Sequence, residues 1–184
     1  MPIALAFLFL LAALWPQALT ASDEAWRALR DGGTIALFRH ARAPGTGDPP
    51  QFRLEDCATQ RNLSAEGRRQ AEVIGEQFRA RRIPVEQVLS SRWCRALDTA
   101  RLAFGRTEPF PPLDSFFAGR GREEAQTQAL RERIGTWRSG GVLVLVTHQV
   151  NITALTGIFP EEGEALVLRP KAGAGFELVG SVRP

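Results

Sequence analysis

Two histidines and a set of arginines are the residues of this chain best suited to chemistry. The 184 residues include only His40 and His148, and each stands at the end of a short apolar run. Thr34-Ile35-Ala36-Leu37-Phe38 leads into Arg39-His40, and Val142-Leu143-Val144-Leu145-Val146-Thr147 leads into His148. With Arg39 and Arg95, the two imidazoles could hold a phosphoryl group. A phosphoryl in transfer spreads its charge over its equatorial oxygens, so catalysis rests on positioning and positive charge. The fork-shaped donors of arginine suit those oxygens. One imidazole, neutral and fixed by a backbone hydrogen bond, can attack phosphorus and form a phosphohistidine. The other, protonated, would add to the charge of the pocket.

Elements with a particular order must deliver these groups. An apolar run bounded by turn signals reads as a buried strand, and open α/β sheets bind ligands beyond the carboxyl ends of their strands. An amphipathic helix is expected over residues 22–30, capped by Ser22, before the Asp31-Gly32-Gly33 turn and the first strand. The loop Arg42-Ala43-Pro44-Gly45-Thr46-Gly47-Asp48-Pro49-Pro50 follows His40 and should form one wall of a pocket. Ser64 opens a helix to about Arg82, with Gly67, Ala71, Ile74 and Phe78 on its buried face. A strand over 85–89 and a helix over 92–104, with Trp93, Ala96, Leu97 and Ala100 inward, extend a βαβα pattern. An irregular Pro- and Phe-rich stretch over 107–119 precedes a helix over 122–137 and the strand ending at His148. A short helix over 151–157 stops at Gly157. Residues 164–169 and 176–182 read as a closing hairpin. The expected fold is therefore α/β, a three-layer α/β/α sandwich with a largely parallel central sheet and a C-terminal hairpin.

Composition narrows the partners. The length fits one domain, and a 44% hydrophobic content supports a core without staples. All but one of the 23 basic residues are arginine, for a net charge of +3. No basic cluster alternates with aromatics, so the expectation is no nucleic-acid partner. Residues 2–15 are almost wholly apolar and end in a small-residue exit at Ala18-Leu19-Thr20-Ala21. They read either as a signal peptide, residues 1–21, cleaved after Ala21, or as an uncleaved N-terminal anchor. The first reading places residues 22–184 outside the cytoplasm, in a periplasmic setting, with no stable membrane span after processing. Cys57 and Cys94 would pair there as a disulfide rather than remain two free thiols. Their spacing with the histidines lacks the short ligand pairs of structural zinc.

Four stretches carry a resemblance. Leu37-Phe38-Arg39-His40-Ala41 resembles the Arg-His-Gly motif of the histidine phosphatase superfamily, the phosphoglycerate mutase-like proteins. Asn62-Leu63-Ser64-Ala65-Glu66-Gly67-Arg68-Arg69-Gln70-Ala71 is similar to that family's Leu-Thr-x-x-Gly-x-x-Gln-Ala helix start. Ser90-Ser91-Arg92-Trp93-Cys94-Arg95-Ala96-Leu97-Asp98-Thr99-Ala100 matches its Ser-Ser-x-x-x-Arg-x-x-x-Thr-Ala segment. Val146-Thr147-His148-Gln149 stands where the family carries its second histidine. The resemblance implies His40 as nucleophile, with Arg39, Arg95 and His148 lining a phosphate pocket. Ala41 departs from the usual Gly. A general acid should follow the Arg95 segment, and Asp114 is the candidate, with Glu123 second. Some small members lack this acid and act on better leaving groups. Arg42, Arg61, Asn62 and Gln149 are candidates for substrate contact, and Asn151 either contacts the phosphoryl or caps its helix.

The activity implied is a histidine acid phosphatase-type phosphomonoesterase that needs no cofactor or metal and acts on a small exported or envelope phospho-substrate. The alternative is a catalytically silent phospho-ligand binding module on the same fold. Phosphate affinity without a phosphoenzyme would mark the second.

Overall fold

The structure, a computed structural model, describes residues 21–171, 173 and 175–184. The apolar stretch read as a signal peptide or anchor lies outside the described residues, except for Ala21. Among the described residues, no helix is long and apolar enough to cross a membrane.

The chain alternates helices and strands: α1 Ala21–Asp31, β1 Ile35–Arg39, α2 Ala65–Ala80, β2 Val85–Ser90, α3 Cys94–Phe104, the two-residue β3 Glu108–Pro109, α4 Glu123–Gly135, β4 Val142–Thr147, α5 Gln149–Thr156, β5 Ala165–Lys171 and β6 Gly175–Val182. The strands form one sheet in the order β3-β2-β4-β1-β5-β6. The pairs β3/β2, β2/β4 and β4/β1 are parallel, and β5 and β6 add the antiparallel hairpin. The largely parallel sheet with its C-terminal hairpin is the one the sequence implied.

Side-chain alternation along the strands divides the core into two layers. Ala36, Phe38, Val142, Val144 and Val146 face α1, α2 and α3. Ile35, Leu37, Leu143 and Leu145 face α4 and α5 on the opposite side. Strands buried on both faces must be apolar throughout, which is why β1 and β4 are so conspicuous in the sequence. The first layer holds an aromatic cluster in which the Phe38 and Phe78 rings lie 5.7 Å apart and Trp26 meets Phe78 edge-on at 5.6 Å.

Helix α2 starts where its cap predicts. Ser64 Oγ accepts a hydrogen bond from the Gly67 N–H at 3.1 Å, satisfying one of the donors that a helix start leaves open. Gly67 also lets the helix approach the chain leaving β1, since a Cβ there would lie 2.0 Å from the Arg42 carbonyl oxygen. Some boundaries differ from the sequence expectation. Ser22 lies inside α1 rather than capping it, and α5 begins at Gln149. Leu97 is only partly buried on α3, where Cys94, Arg95 and Thr99 take inward positions.

Candidate active site

The parallel register of β1 and β4 pairs Phe38 with Val146 and Arg39 with Thr147. The next residue along each strand is therefore a histidine. The His40 N–H donates to the Thr147 carbonyl at 2.9 Å, continuing the ladder by one bond. The two imidazoles meet with ring centroids 5.4 Å apart, both buried, at the carboxyl edge of the sheet.

His40 Nδ1 lies 2.8 Å from the Ala41 carbonyl oxygen. A carbonyl can only accept, so Nδ1 carries the proton and Nε2 keeps its lone pair. Burial, followed by the Arg95 guanidinium, lowers the imidazole from 6.5 to about 3, against the opposing effect of the Ala41 bond. The ring is neutral at pH 7, as a nucleophile requires. His148 Nε2 lies 2.8 Å from Ser91 Oγ, and the Ser91 hydroxyl donates to Asp114 Oδ1 at 3.4 Å. In that chain the imidazole Nε2–H donates to the serine. Nδ1 is buried with no partner among the described residues. Burial, then Arg95 and His40, hold this imidazole well below its usual pKa. In the ligand-free protein, burial and the nearby arginines work against the protonated second histidine that the sequence reading expects.

Three arginines surround the pair. Arg39 is anchored by donation from Nη1 to the Pro160 carbonyl at 3.0 Å, with Glu162 3.6 Å from Nη2. Arg95, itself buried, lays its fork on Asp48, with Nη1 2.7 Å from Oδ1 and Nη2 3.2 Å from Oδ2. Arg61 donates from Nε to the Gly47 carbonyl at 2.8 Å and from Nη1 to the Ala43 carbonyl. The Nε atoms of Arg39 and Arg95 are buried without an acceptor among the described residues. Two guanidinium donors left open beside two imidazoles suit an oxyanion. The amino end of α5 adds the backbone donors and partial positive charge of a helix start.

These groups line a cavity of about 310 Å³, with Arg39, His40, Arg61, Arg95, His148 and Gln149 among its walls. Gly45, Thr46, Gly47 and Asp48 close one side, so the loop after β1 forms a wall as its position predicted. Gly47 there adopts a positive φ of 69°, a conformation that favours glycine.

The structure does not bring every sequence candidate to this cavity. Asp114 is buried away from it, with Oδ2 2.8 Å from Arg92 Nε and Oδ1 2.9 Å from the Arg92 N–H. Both oxygens are taken, so the place expected of a general acid is filled by a group that orients Ser91 and, through it, His148. Glu123 pairs with Arg120 at 3.0 Å on the surface. The Arg42 side chain is exposed outside the cavity, because its backbone is what packs on α2. Asn62 donates to the Cys57 carbonyl at 2.6 Å, and Asn151 donates to the Asp114 carbonyl at 2.9 Å. Both are internal struts. Cys57 and Cys94 form a disulfide with Cα atoms 5.7 Å apart.

Asp48 is the residue that sequence reasoning missed. Besides Arg95, it accepts from Trp93 Nε1 at 2.9 Å and from the Arg61 N–H at 3.1 Å. Burial pushes its carboxyl up, but the bonds and charge of Arg95, with the Trp93 donor, outweigh this and hold it below the usual carboxylate range. Its one signal in the sequence is an acid inside a Gly- and Pro-rich loop beyond a strand end. Ser91, Ser115 and Phe159 also help to build the site.

Residues 35–115 match the model of the histidine phosphatase superfamily, branch 1. No curated protein sequence matches the chain. Among solved structures, the chain is similar to the protein histidine phosphatase SixA complexed with tungstate, at 16% identity and a TM-score of 0.56, over 82% of this chain and 97% of that one. It is also similar to a mycobacterial glucosyl-3-phosphoglycerate phosphatase, at 18% identity and 0.58, over 79% and 96%. A third is a phosphoserine phosphatase from Entamoeba histolytica in complex with 3-phosphoglyceric acid, at 13% and 0.58, over 80% and 95%. At such identities the likeness speaks to the fold, while the matched segment spans the first three of the four motifs, from Arg39-His40 to Arg95. The chain belongs to the histidine phosphatase superfamily.

Proposed function

We propose that the chain is a phosphomonoesterase that works through a phosphohistidine on His40, with its positive charge supplied by arginines. One observation carries this reading: a neutral imidazole with a free Nε2 shares a cavity with Arg39, Arg61 and Arg95 and with a second imidazole 5.4 Å away. In the first step Nε2 attacks phosphorus and the alcohol oxygen leaves with the bonding pair. The arginines and the His148 ring hold the transferring oxygens. The approaching dianion opposes the burial and the arginine charges that keep His148 neutral, so a proton on that ring arrives with the substrate. In the second step water attacks the phosphohistidine and returns the imidazole.

Among the described residues, the only carboxylate lining the cavity is Asp48, and Arg95 keeps it ionised. Without a carboxylic acid poised over the leaving oxygen, the site suits esters whose alcohol departs readily. SixA, a protein histidine phosphatase by name, shares the fold, and phosphoramidates belong among the substrates to screen. The apolar N-terminal stretch supports an exported enzyme with an envelope phospho-substrate.

Intact-mass analysis after mixing with an aryl phosphate and a gentle quench tests the reading. A one-phosphoryl shift in the wild type, lost in His40→Ala, is expected. Phosphate binding without any shift would instead support a silent binding module.

A further inference from the structure

A second cavity, of about 720 Å³, adjoins the one that holds the histidines and shares Asp48, Ser115 and Phe117 with it. Its wall is aromatic and rigid. Phe52 and Trp93 stack with centroids 5.2 Å apart and planes 19° from parallel. The Trp93 indole is fixed by its bond to Asp48 and by an edge contact with His148, centroids 5.5 Å apart. The wall thus runs from the reacting imidazoles outward. Pro49 and Pro50 continue it, and among the lining residues only Asp48 and Arg122 are charged. Two phenyl rings, Phe117 and Phe159, stand at the mouth of the histidine cavity at 55% and 69% exposure. Large apolar groups clustered at one opening mark a place where a ligand sits.

We propose that this second cavity seats the alcohol half of the substrate and selects alcohols that carry a flat ring. This assignment rests on the phosphatase reading for its orientation: a phosphoryl held by Arg39 and Arg95 must point its ester oxygen out of the first cavity, and the shared wall leads into the second. Phe52, braced from behind by the buried Trp93, and the two prolines offer flat apolar surface that suits a ring but meets a flexible chain or a small polyol poorly. The near absence of charge excludes an alcohol bearing several further phosphates.

Binding of non-hydrolysable phosphonates to the full chain tests the assignment by calorimetry. 1-Naphthylmethylphosphonate is expected to bind roughly tenfold tighter than n-butylphosphonate, as stacking and the buried ring area require. Phe52→Ala removes part of the stack and Gly119→Leu fills the cavity. Gly119 lines the cavity, and a Cβ there meets nothing within 4 Å, so the larger side chain fits without displacing backbone. Each variant should cut the ratio of the two affinities to about twofold or less. Equal affinities in the wild type, or a ratio unchanged in both variants, would overturn the proposal. Turnover of 1-naphthyl phosphate is scored separately. If it is absent while the affinity ratio holds, the phosphatase reading falls and the ring site stands.

Discussion

Removing the Cys57–Cys94 bridge, by Cys57→Ser with Cys94→Ser, should be among the most costly changes outside the core. The bridge closes a loop with a sequence separation of 37. Chain-entropy reasoning puts the constraint on the unfolded chain at about 13 cal/mol/K for that length, or about 4 kcal/mol near room temperature. With a urea slope of roughly 2 kcal/mol/M for a domain of this size, the unfolding midpoint should fall by roughly 2 M. The assay is urea unfolding of the bridged protein and the double variant, followed by tryptophan fluorescence. Activity should change in a particular way. The bridge ties the loop bearing Asp48 and Arg61 to the start of α3, just before Arg95. The histidines hang instead on the β1/β4 ladder. KM for an aryl phosphate should therefore rise severalfold while kcat moves less. A midpoint shift below about 0.5 M would refute the entropy argument. An unchanged KM would refute the link between the loop and the site.

Other consequences are simpler to check. The histidines are the only two in the chain; His40, lowered to about 3, should not titrate by NMR between pH 5 and 8 in the free protein, and the His148 midpoint should lie well below 6.5. Unfolded imidazoles bind protons below about 6.5 while the folded His40 does so only near 3. Stability is therefore full above 6.5 and falls as pH drops below it, which thermal melts across that window should show. Gly67→Ala should lower stability by more than the about 1 kcal/mol gained from helix propensity, because the new Cβ meets the Arg42 carbonyl at 2.0 Å; a melt equal to or above the wild type would contradict that contact. Ser91→Ala should lower kcat roughly tenfold or more with little change in KM, since it frees the His148 ring from its orienting partner. Activity of Ser91→Ala equal to the wild type would remove Asp114 and Ser91 from the positioning of His148.

What could be read in the sequence was what is local or periodic. The apolar runs of β1 and β4 announce strands covered on both faces, and the spacing of Gly67, Ala71, Ile74 and Phe78 announces one face of α2. His40, His148, Arg39 and Arg95 were legible because each sits at a fixed offset from such an element. Asp48 was not, since its meaning lies in a contact with Arg95 across 47 residues. Asp114 has the right type and neighbourhood for an acid, but the turn of Arg92 onto its carboxylate decides its role, and no pattern encodes that turn. Asn62 misled for the same reason: a polar residue beside a motif can serve the disulfide loop instead of the substrate.

The ladder that sets the two imidazoles side by side also separates what can vary in this protein from what cannot. A single-residue insertion in β1 or β4 would swing every following side chain to the opposite face, sending a histidine into one of the apolar layers. The reacting pair is thus locked to the strand register. The loop after β1, pinned by one covalent bridge and a few polar contacts, carries no such phase. New substrate preferences can arise there by exchanging Phe52, Pro49 or Pro50, while the geometry of the phosphoryl chemistry is inherited intact.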